Sequence, residues 1–314
     1  MLCSCSVMKQ EVNYKDPQSY EFKKRVWQVN EHEGAIIIAI HGYNDYSESF
    51  QIPATFLTKY KISTISFDLR GFGMNEDRGS WFPLSVHIDD VTFFVKKIRK
   101  NHPKKKIFLL GESMGGAIVA STVIKNKNLQ IDGVILVAPA IWNFSEMNPI
   151  KKIFLNVIST LLPNLKLDGG DFIKVTACNN IEVLKALAKD KYFIHKPNLK
   201  SLNGIVELMD ESYKYTEEFL NQLPYRTLII LPIKDEIVPR KPLTKLLNDK
   251  KDTIKDNIKL AIFKNNYHMI LRDLESETIT KFLANWINNL DTSNSILESI
   301  NILNNSKFYH ITEK

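Results

Sequence analysis

Residues Gly111-Glu112-Ser113-Met114-Gly115 stand between two apolar runs, Ile107 to Leu110 before them and Ala117 to Ala120 after them. An apolar run, a short turn bounded by glycines and a second apolar run read as a strand that reverses sharply into a helix. The central residue of such a turn takes a strained backbone conformation. Glycines two positions to either side are then required, because a Cβ there would strike the neighbouring strand or helix. The Ser113 hydroxyl is thereby held out at the C-terminal edge of a sheet, beside a helix start whose free N–H groups and positive dipole end suit an oxyanion. The bland alternative is a surface turn with the same spacing, but strand, turn and helix signals fall in the order an elbow requires.

A serine hydroxyl is a poor nucleophile until a base takes its proton, so this reading demands a histidine and an acid further along. The β-branched run Thr227 to Leu231 reads as a buried strand and leads into Pro232-Ile233-Lys234-Asp235-Glu236-Ile237-Val238-Pro239. A carboxylate past the end of a parallel strand faces the crevice where the other strands also end. Asp235 is the expected acid, with its neighbour Glu236 the competitor. A further run, Ile258 to Phe263, leads into Asn265-Asn266-Tyr267-His268-Met269, which places His268 just past a late strand. The chain order serine, aspartate, histidine is the one this architecture uses. None of His32, His41, His87, His102, His195 and His310 follows a late strand after the acid. His87 and His102, on a helical stretch with charged neighbours, read as solvated.

Two backbone donors are needed for the oxyanion, one after the nucleophile and one from the loop after an early strand. The first is the N–H of Met114. The strand-like run Ala35 to Ile40 ends in His41-Gly42-Tyr43-Asn44-Asp45, which makes the N–H of Tyr43 the second. Gly42 allows close approach of the backbone, and His41 reads as a brace for the loop.

Taken together, His41-Gly42, Phe67-Asp68-Leu69-Arg70-Gly71-Phe72-Gly73, Gly111 to Gly116, Asp235 to Pro239 and Tyr267-His268 resemble the monoacylglycerol lipase and lysophospholipase branch of the serine α/β-hydrolases. The resemblance spans residues 20 to 290, and Leu162-Pro163-Asn164-Leu165 resembles the start of that branch's cap. It implies hydrolysis of lipid carboxylic esters, monoacylglycerol or lysophospholipid, through an acyl-enzyme. Pro232 replaces a glycine usual before the acid, and Asn75 replaces a serine usual at the end of the Arg-Gly-x-Gly turn.

Composition and pattern are compatible with this fold class. A chain of 314 residues with 44% hydrophobic content can bury one large α/β core. Strands are predicted near 22–29, 35–40, 62–67, 106–110, 133–137, 227–231 and 258–263, and helices at 48–60, 85–101, 114–126, 240–248 and 276–289. This alternation demands a mainly parallel sheet with helices on both faces. Residues 1–19 read as a loose N-terminal segment and 20–290 as the hydrolase domain. The connection at about 140–223 is too long for an ordinary crossover and reads as an inserted helical cap. In the tail, residues 291–314, Ile296, Ile300 and Leu303 fit one stripe of a short helix, with no function assigned.

The segment Met1 to Pro17 has no apolar core, which argues against a secretory signal. Cys3 and Cys5 read as reduced thiols, and with Cys178 they form no disulfide framework. These features point to a cytoplasmic protein. The net charge of +7 is dispersed, as at Lys104-Lys105-Lys106, without the interleaved aromatics of a nucleic-acid platform. Neither a cofactor nor a metal is expected, because no cluster at ligand spacing appears. Oligomeric state is not encoded legibly.

After Pro149, the apolar residues Ile153, Phe154, Val157, Ile158, Leu161 and Leu162 recur at helical spacing. Such a stripe either packs onto the core or contacts lipid, and Phe154, Ile158, Leu161 and Leu162 are the candidate acyl-chain contacts. A peripheral meeting with a lipid surface follows from the second choice. Short-ester carboxylesterase, iminopeptidase-like peptidase and non-catalytic ligand-binding scaffold remain as alternatives.

Overall fold

The computed structural model describes residues 8–15, 20–29, 34–167, 175–222, 225–254, 257–290 and 296–306. Cys3, Cys5, His32 and His310 lie outside the described residues. The strands are β1 (Met8–Lys15), β2 (Glu21–Gln28), β3 (Ala35–Ile40), β4 (Ile62–Phe67), β5 (Lys106–Glu112), β6 (Gly133–Val137), β7 (Arg226–Pro232) and β8 (Ile258–Phe263). They form one eight-stranded sheet in the order β1-β2-β4-β3-β5-β6-β7-β8. From β4 to β8 every neighbouring pair is parallel, and β2 runs antiparallel to β4.

Parallel strands covered on both faces must be apolar on both, which is why β3 reads Ala-Ile-Ile-Ile-Ala-Ile without alternation. Ile36, Ile38 and Ile40 enter one core layer with side chains of α2 (Leu84–Asn101), α3 (Met114–Lys125) and α8 (Arg240–Lys250). Ala35, Ile37 and Ala39 enter the opposite layer with α1 (Gln51–Thr58) and α9 (Ser276–Ile287). The period of two along a strand thus divides one apolar run between two cores.

Between β6 and β7 the chain forms α4 (Phe144–Met147), α5 (Pro149–Leu161), α6 (Ile181–Lys189) and α7 (Leu199–Gln222). The last of these departs from the expectation that all of 140–223 stands off the sheet. Phe219 and Leu220 of α7 are fully buried in the core layer that holds α3. The C-terminal half of α7 is therefore the crossover helix that any parallel pair requires.

Two further departures concern the ends. Met8–Lys15 is not a loose segment but an edge strand, antiparallel to β2 from Met8 opposite Gln28 to Lys15 opposite Glu21. Its lysines and glutamate hid it from a search for apolar runs, and such residues are what an unpartnered edge carries. In the tail, α10 (Ile296–Asn304) docks on the body. Ile300 and Leu303 are buried in the main core, and the Ser299 hydroxyl donates to the Leu260 carbonyl at 2.7 Å.

Candidate active site

Ser113 has φ 55° and ψ −120°, the left-handed strain expected of an elbow residue. The flanking glycines are obligatory. A Cβ on Gly111 would lie 2.2 Å from the Gly115 carbonyl oxygen, and one on Gly115 would lie 2.1 Å from that of Ile40. The Ser113 N–H donates to the Val137 carbonyl at 2.9 Å, and its own carbonyl accepts from Ala140 at 2.9 Å. The turn is thus fixed against the end of β6.

His268 lies past the end of β8 and Asp235 past the end of β7. The imidazole Nε2 is 2.8 Å from Ser113 Oγ, and Nδ1 is 2.7 Å from Asp235 Oδ2. The other carboxylate oxygen of Asp235 accepts from the N–H groups of Ile237 at 2.9 Å and Val238 at 3.0 Å. That arrangement aims Asp235 at the imidazole. Glu236 instead accepts from the Thr176 N–H at 2.7 Å, in the inserted segment. Burial alone would lower the pKa of His268, but the facing carboxylates, Asp235 foremost and then Glu112, together raise the value above that of a free imidazole. Pro232 closes β7 opposite Phe263 and does not prevent Asp235 from reaching His268.

The loop after β3 passes beside Ser113. A Cβ on Gly42 would lie 3.1 Å from that of Ser113, so Gly42 sets the approach and brings the chain past it into Tyr43. Met114 opens α3, where the first N–H groups have no partner inside the helix. His41 is wholly buried. Its Nε2 accepts from the Leu69 N–H at 2.9 Å, and Nδ1, as the protonated nitrogen, donates to the Gly42 carbonyl at 2.8 Å. Burial depresses its pKa, so it braces the loop as a neutral ring. The Tyr43 hydroxyl lies 2.8 Å from Ser201 Oγ on α7. Asn75 donates to the carbonyls of Asp68 at 2.9 Å and Leu69 at 3.0 Å, holding the following turn from outside the reacting set.

His87, expected in solvent, is completely buried on α2 beside Trp81. Of its charged neighbours in sequence, Asp89 is exposed, while Asp90, three positions on, shares the buried face and pairs with Arg70 at 2.9 Å, so charge in the sequence misjudged that face. Burial pulls its pKa down to about 3.

The stripe on α5 faces outward. Ile150 is 82% exposed, Ile153 64%, Phe154 65%, Val157 52% and Leu161 72%. Leu162, just beyond the helix, is also exposed, and Ile158 is half-buried. The opposite face, with Lys152 and Ser159, is the buried one. Lys152 donates to Asn203 Oδ1 at 2.7 Å and pairs with Glu207 at 3.2 Å, both on α7. Of the two expectations for this helix, packing of its apolar stripe on the core is the one the structure overturns.

A group that the sequence did not single out lies behind Ser113. Arg272, buried in the turn after His268, reaches Asp45 Oδ2 of the β3 loop at 2.7 Å and Glu112 Oε2 of the elbow at 3.5 Å. All of its members are buried. The available signal was the acid at the second position of the elbow, a charge set inside an apolar run.

This sheet, with the Ser113 turn at the end of β5 and Asp235 and His268 past the ends of β7 and β8, defines an α/β-hydrolase. Residues 31–275 match the family model described as serine aminopeptidase, S33, and the chain belongs to that family. It is 25% identical to phospholipase YtpA of Bacillus subtilis, over 79% of this chain and 92% of that one. It is 26% identical to the monoglyceride lipase of Homo sapiens, over 82% of this chain and 83% of that one. A soluble variant of the monoglyceride lipase from Saccharomyces cerevisiae superposes with a TM-score of 0.73 at 18% identity, covering 93% of this chain and 98% of that one. The Paleococcus ferrophilus monoacylglycerol lipase gives a TM-score of 0.68 at 17% identity, covering 86% and 100%.

Proposed function

We propose that the protein is a serine hydrolase that cleaves monoacylglycerols or lysophospholipids through an acyl-enzyme. The observation that carries this reading is the hydrogen-bonded series Ser113, His268, Asp235, with contacts of 2.8 and 2.7 Å. His268 Nε2 takes the Ser113 proton as Oγ bonds to the ester carbonyl carbon. The carbonyl oxygen becomes an oxyanion, received by the N–H groups of Tyr43 and Met114. The tetrahedral species collapses with rupture of the bond to the leaving alcohol, which takes the proton from His268. Water then repeats the sequence on the acyl-enzyme, releasing the fatty acid and restoring Ser113. Asp235 holds the imidazole in the tautomer that presents Nε2 to the serine and stabilises its cation.

The lipid assignment is supported by the exposed face of α5 and by the names of the curated relatives. Ile150, Ile153, Phe154, Val157 and Leu161 present a continuous apolar stripe on the segment inserted above the strand ends. Such a face lies in a lipid surface, where it delivers a single-chain ester to the site below, with Phe154, Ile158, Leu161 and Leu162 touching the acyl chain. No described helix is long and apolar enough to cross a membrane.

The family description favours a second reading, an aminopeptidase, whose triad would look the same. Turnover measured across monoacylglycerols, lysophospholipids, short p-nitrophenyl esters and aminoacyl anilides separates the two. Preference for long-chain lipid esters is the expected result. Preference for the anilides would replace the lipid reading with the peptidase one.

A further inference from the structure

Three of the segments that build the site, the loop after β3, the elbow and the turn after His268, each contribute one charged side chain to a single buried cluster. Asp45 comes from the loop that carries Tyr43, Glu112 is the residue before the nucleophile, and Arg272 follows His268 by four positions. Arg272 sits at the centre, 2.7 Å from Asp45 and 3.5 Å from Glu112. Charges are seldom buried without a reason, because desolvation of both partners offsets most of their attraction. A pair of apolar side chains would fill the same space at lower cost. We propose that the Asp45–Arg272–Glu112 cluster locks the oxyanion loop, the elbow and the histidine loop into one body, with Arg272 as a positioning residue and Glu112 biasing the charge on His268. The proposal rests on the reading of Ser113 as nucleophile and His268 as its base.

The electrostatic half follows from what surrounds the imidazole. Asp235 faces His268 from the β7 loop, Glu112 from the elbow and Arg272 from its own loop. Both carboxylates favour the imidazolium, and Arg272 opposes it. Glu112 itself is faced by Arg272, Asp45, His268 and Asp273. Burial holds its carboxyl above the usual carboxylate range, and Arg272 opposes that shift without cancelling it. Its Oε1 is buried without a hydrogen bond, so no donor at that atom quenches the negative charge. In a site of low dielectric, that charge stabilises the cation which His268 becomes during each proton transfer.

The test is the rate at which a fluorophosphonate labels Ser113, followed across pH, because this reports the nucleophile and its base without assuming a substrate. Wild-type labelling should rise with pH as His268 loses its proton. Glu112→Gln is isosteric, leaves Arg272 an acceptor and removes only the charge. It should move the labelling midpoint to lower pH and reduce the plateau rate about tenfold, with an unchanged near-ultraviolet spectrum. Arg272→Met should lose about 10²-fold in plateau rate through misplacement of the loops, while Arg272→Lys should recover most of that loss. Should Arg272→Met fail to fold, Arg272→Gln, which keeps donors for both carboxylates without the charge, takes its place in the comparison with Arg272→Lys, and Glu112→Gln still decides the electrostatic role.

A wild-type midpoint in Glu112→Gln would overturn the electrostatic role. Equal losses in folded Arg272→Lys and Arg272→Met would overturn the positioning role. Absence of labelling at Ser113 in the wild type is a different outcome, which removes the proposed function and not the cluster alone.

Discussion

His268 Nε2 lies 2.8 Å from Ser113 Oγ, although 155 positions of sequence separate the two residues. What closes that gap is the parallel sheet. β5 and β8 point the same way with β6 and β7 between them, so the loops after β5 and β8 open on one edge. Replacing Ser113 by Ala removes the nucleophile and leaves the backbone of a residue already strained. Turnover of a p-nitrophenyl acyl ester should fall by about 10⁴-fold or more, with the thermal unfolding midpoint close to wild type. Hydrolysis that persists at the wild-type rate would rule out Ser113.

On the proposed mechanism, the contact between His268 and Asp235 should set the acid limit of activity. Burial disfavours the imidazolium, yet Asp235 together with Glu112 overcompensates, so His268 holds its proton to a higher pH than a free imidazole does. Only the neutral ring can act as a base. The kcat/KM profile should therefore fall, as pH decreases, through a midpoint above the ordinary histidine value. Asp235→Asn should move that midpoint to lower pH and cost about 10⁴-fold in kcat, because the amide favours the wrong tautomer and no longer stabilises the cation. An Asp235→Asn profile with an unmoved acid limb would disconnect the pair.

Much of this was legible because each of the three candidate residues stands just past an apolar run, and at Ser113 glycines also mark the turn. Ser113, Asp235 and His268 follow β5, β7 and β8, and each is drawn from a residue type with a defined task in the proposed reaction. The members of the Arg272 cluster carry no such mark: a buried charge and a solvated one are the same letter until the fold assigns their surroundings. His87 failed for the same reason. The outward direction of the α5 stripe was equally illegible, because periodicity reports that a helix has an apolar face and not what that face meets. For β1 the signal itself was weak, since an edge strand has no need of apolar residues on both sides.

His87 and His268 should act on stability with opposite signs. The raised pKa of His268 contributes stability that is present below the unfolded histidine value and is lost as pH rises through the folded one. His87, lowered to about 3 by burial, contributes stability that is complete above the unfolded value and is lost as pH falls toward that number. His41, also depressed by burial, acts in the same sense as His87. Between pH 8 and pH 5 the His87 contribution should shrink by about 2 kcal/mol. Urea unfolding of His87→Phe at both pH values should show a smaller acid loss than wild type by that amount. An identical loss in the two proteins would show that His87 is not held neutral.

Gly115 illustrates how little room the elbow has. An alanine there would set its Cβ 2.1 Å from the Ile40 carbonyl oxygen and 2.7 Å from that of His41, and both are backbone atoms that cannot rotate away. Gly115→Ala should destabilise the fold by about 3 kcal/mol or more and abolish fluorophosphonate labelling in whatever folds. Gly79 is the internal control. It has φ 93° but nothing within 4 Å of its missing Cβ, so alanine there meets conformational strain alone and should cost about 1 kcal/mol. Chemical denaturation of the two variants measures the difference, and equal losses would refute the steric account.

The apolar face of α5 can be removed without touching the reacting groups. Ile150 and Ile153 are 82% and 64% exposed, so serines at both positions leave few contacts inside the protein to lose. In a lipid interface each isoleucine transfers apolar area out of water, and the pair should account for roughly 10- to 100-fold in partitioning. The double variant should therefore sediment far less with phosphatidylcholine vesicles and hydrolyse vesicle-borne monoacylglycerol more slowly. Its turnover of p-nitrophenyl acetate in solution should stay within about twofold of wild type, because Ser113, His268 and Asp235 sit on loops of the sheet and not on this helix. If vesicle binding is unchanged, the exposed stripe has some other partner. If both substrates slow together, α5 contributes to the shape of the site and not to its meeting with lipid.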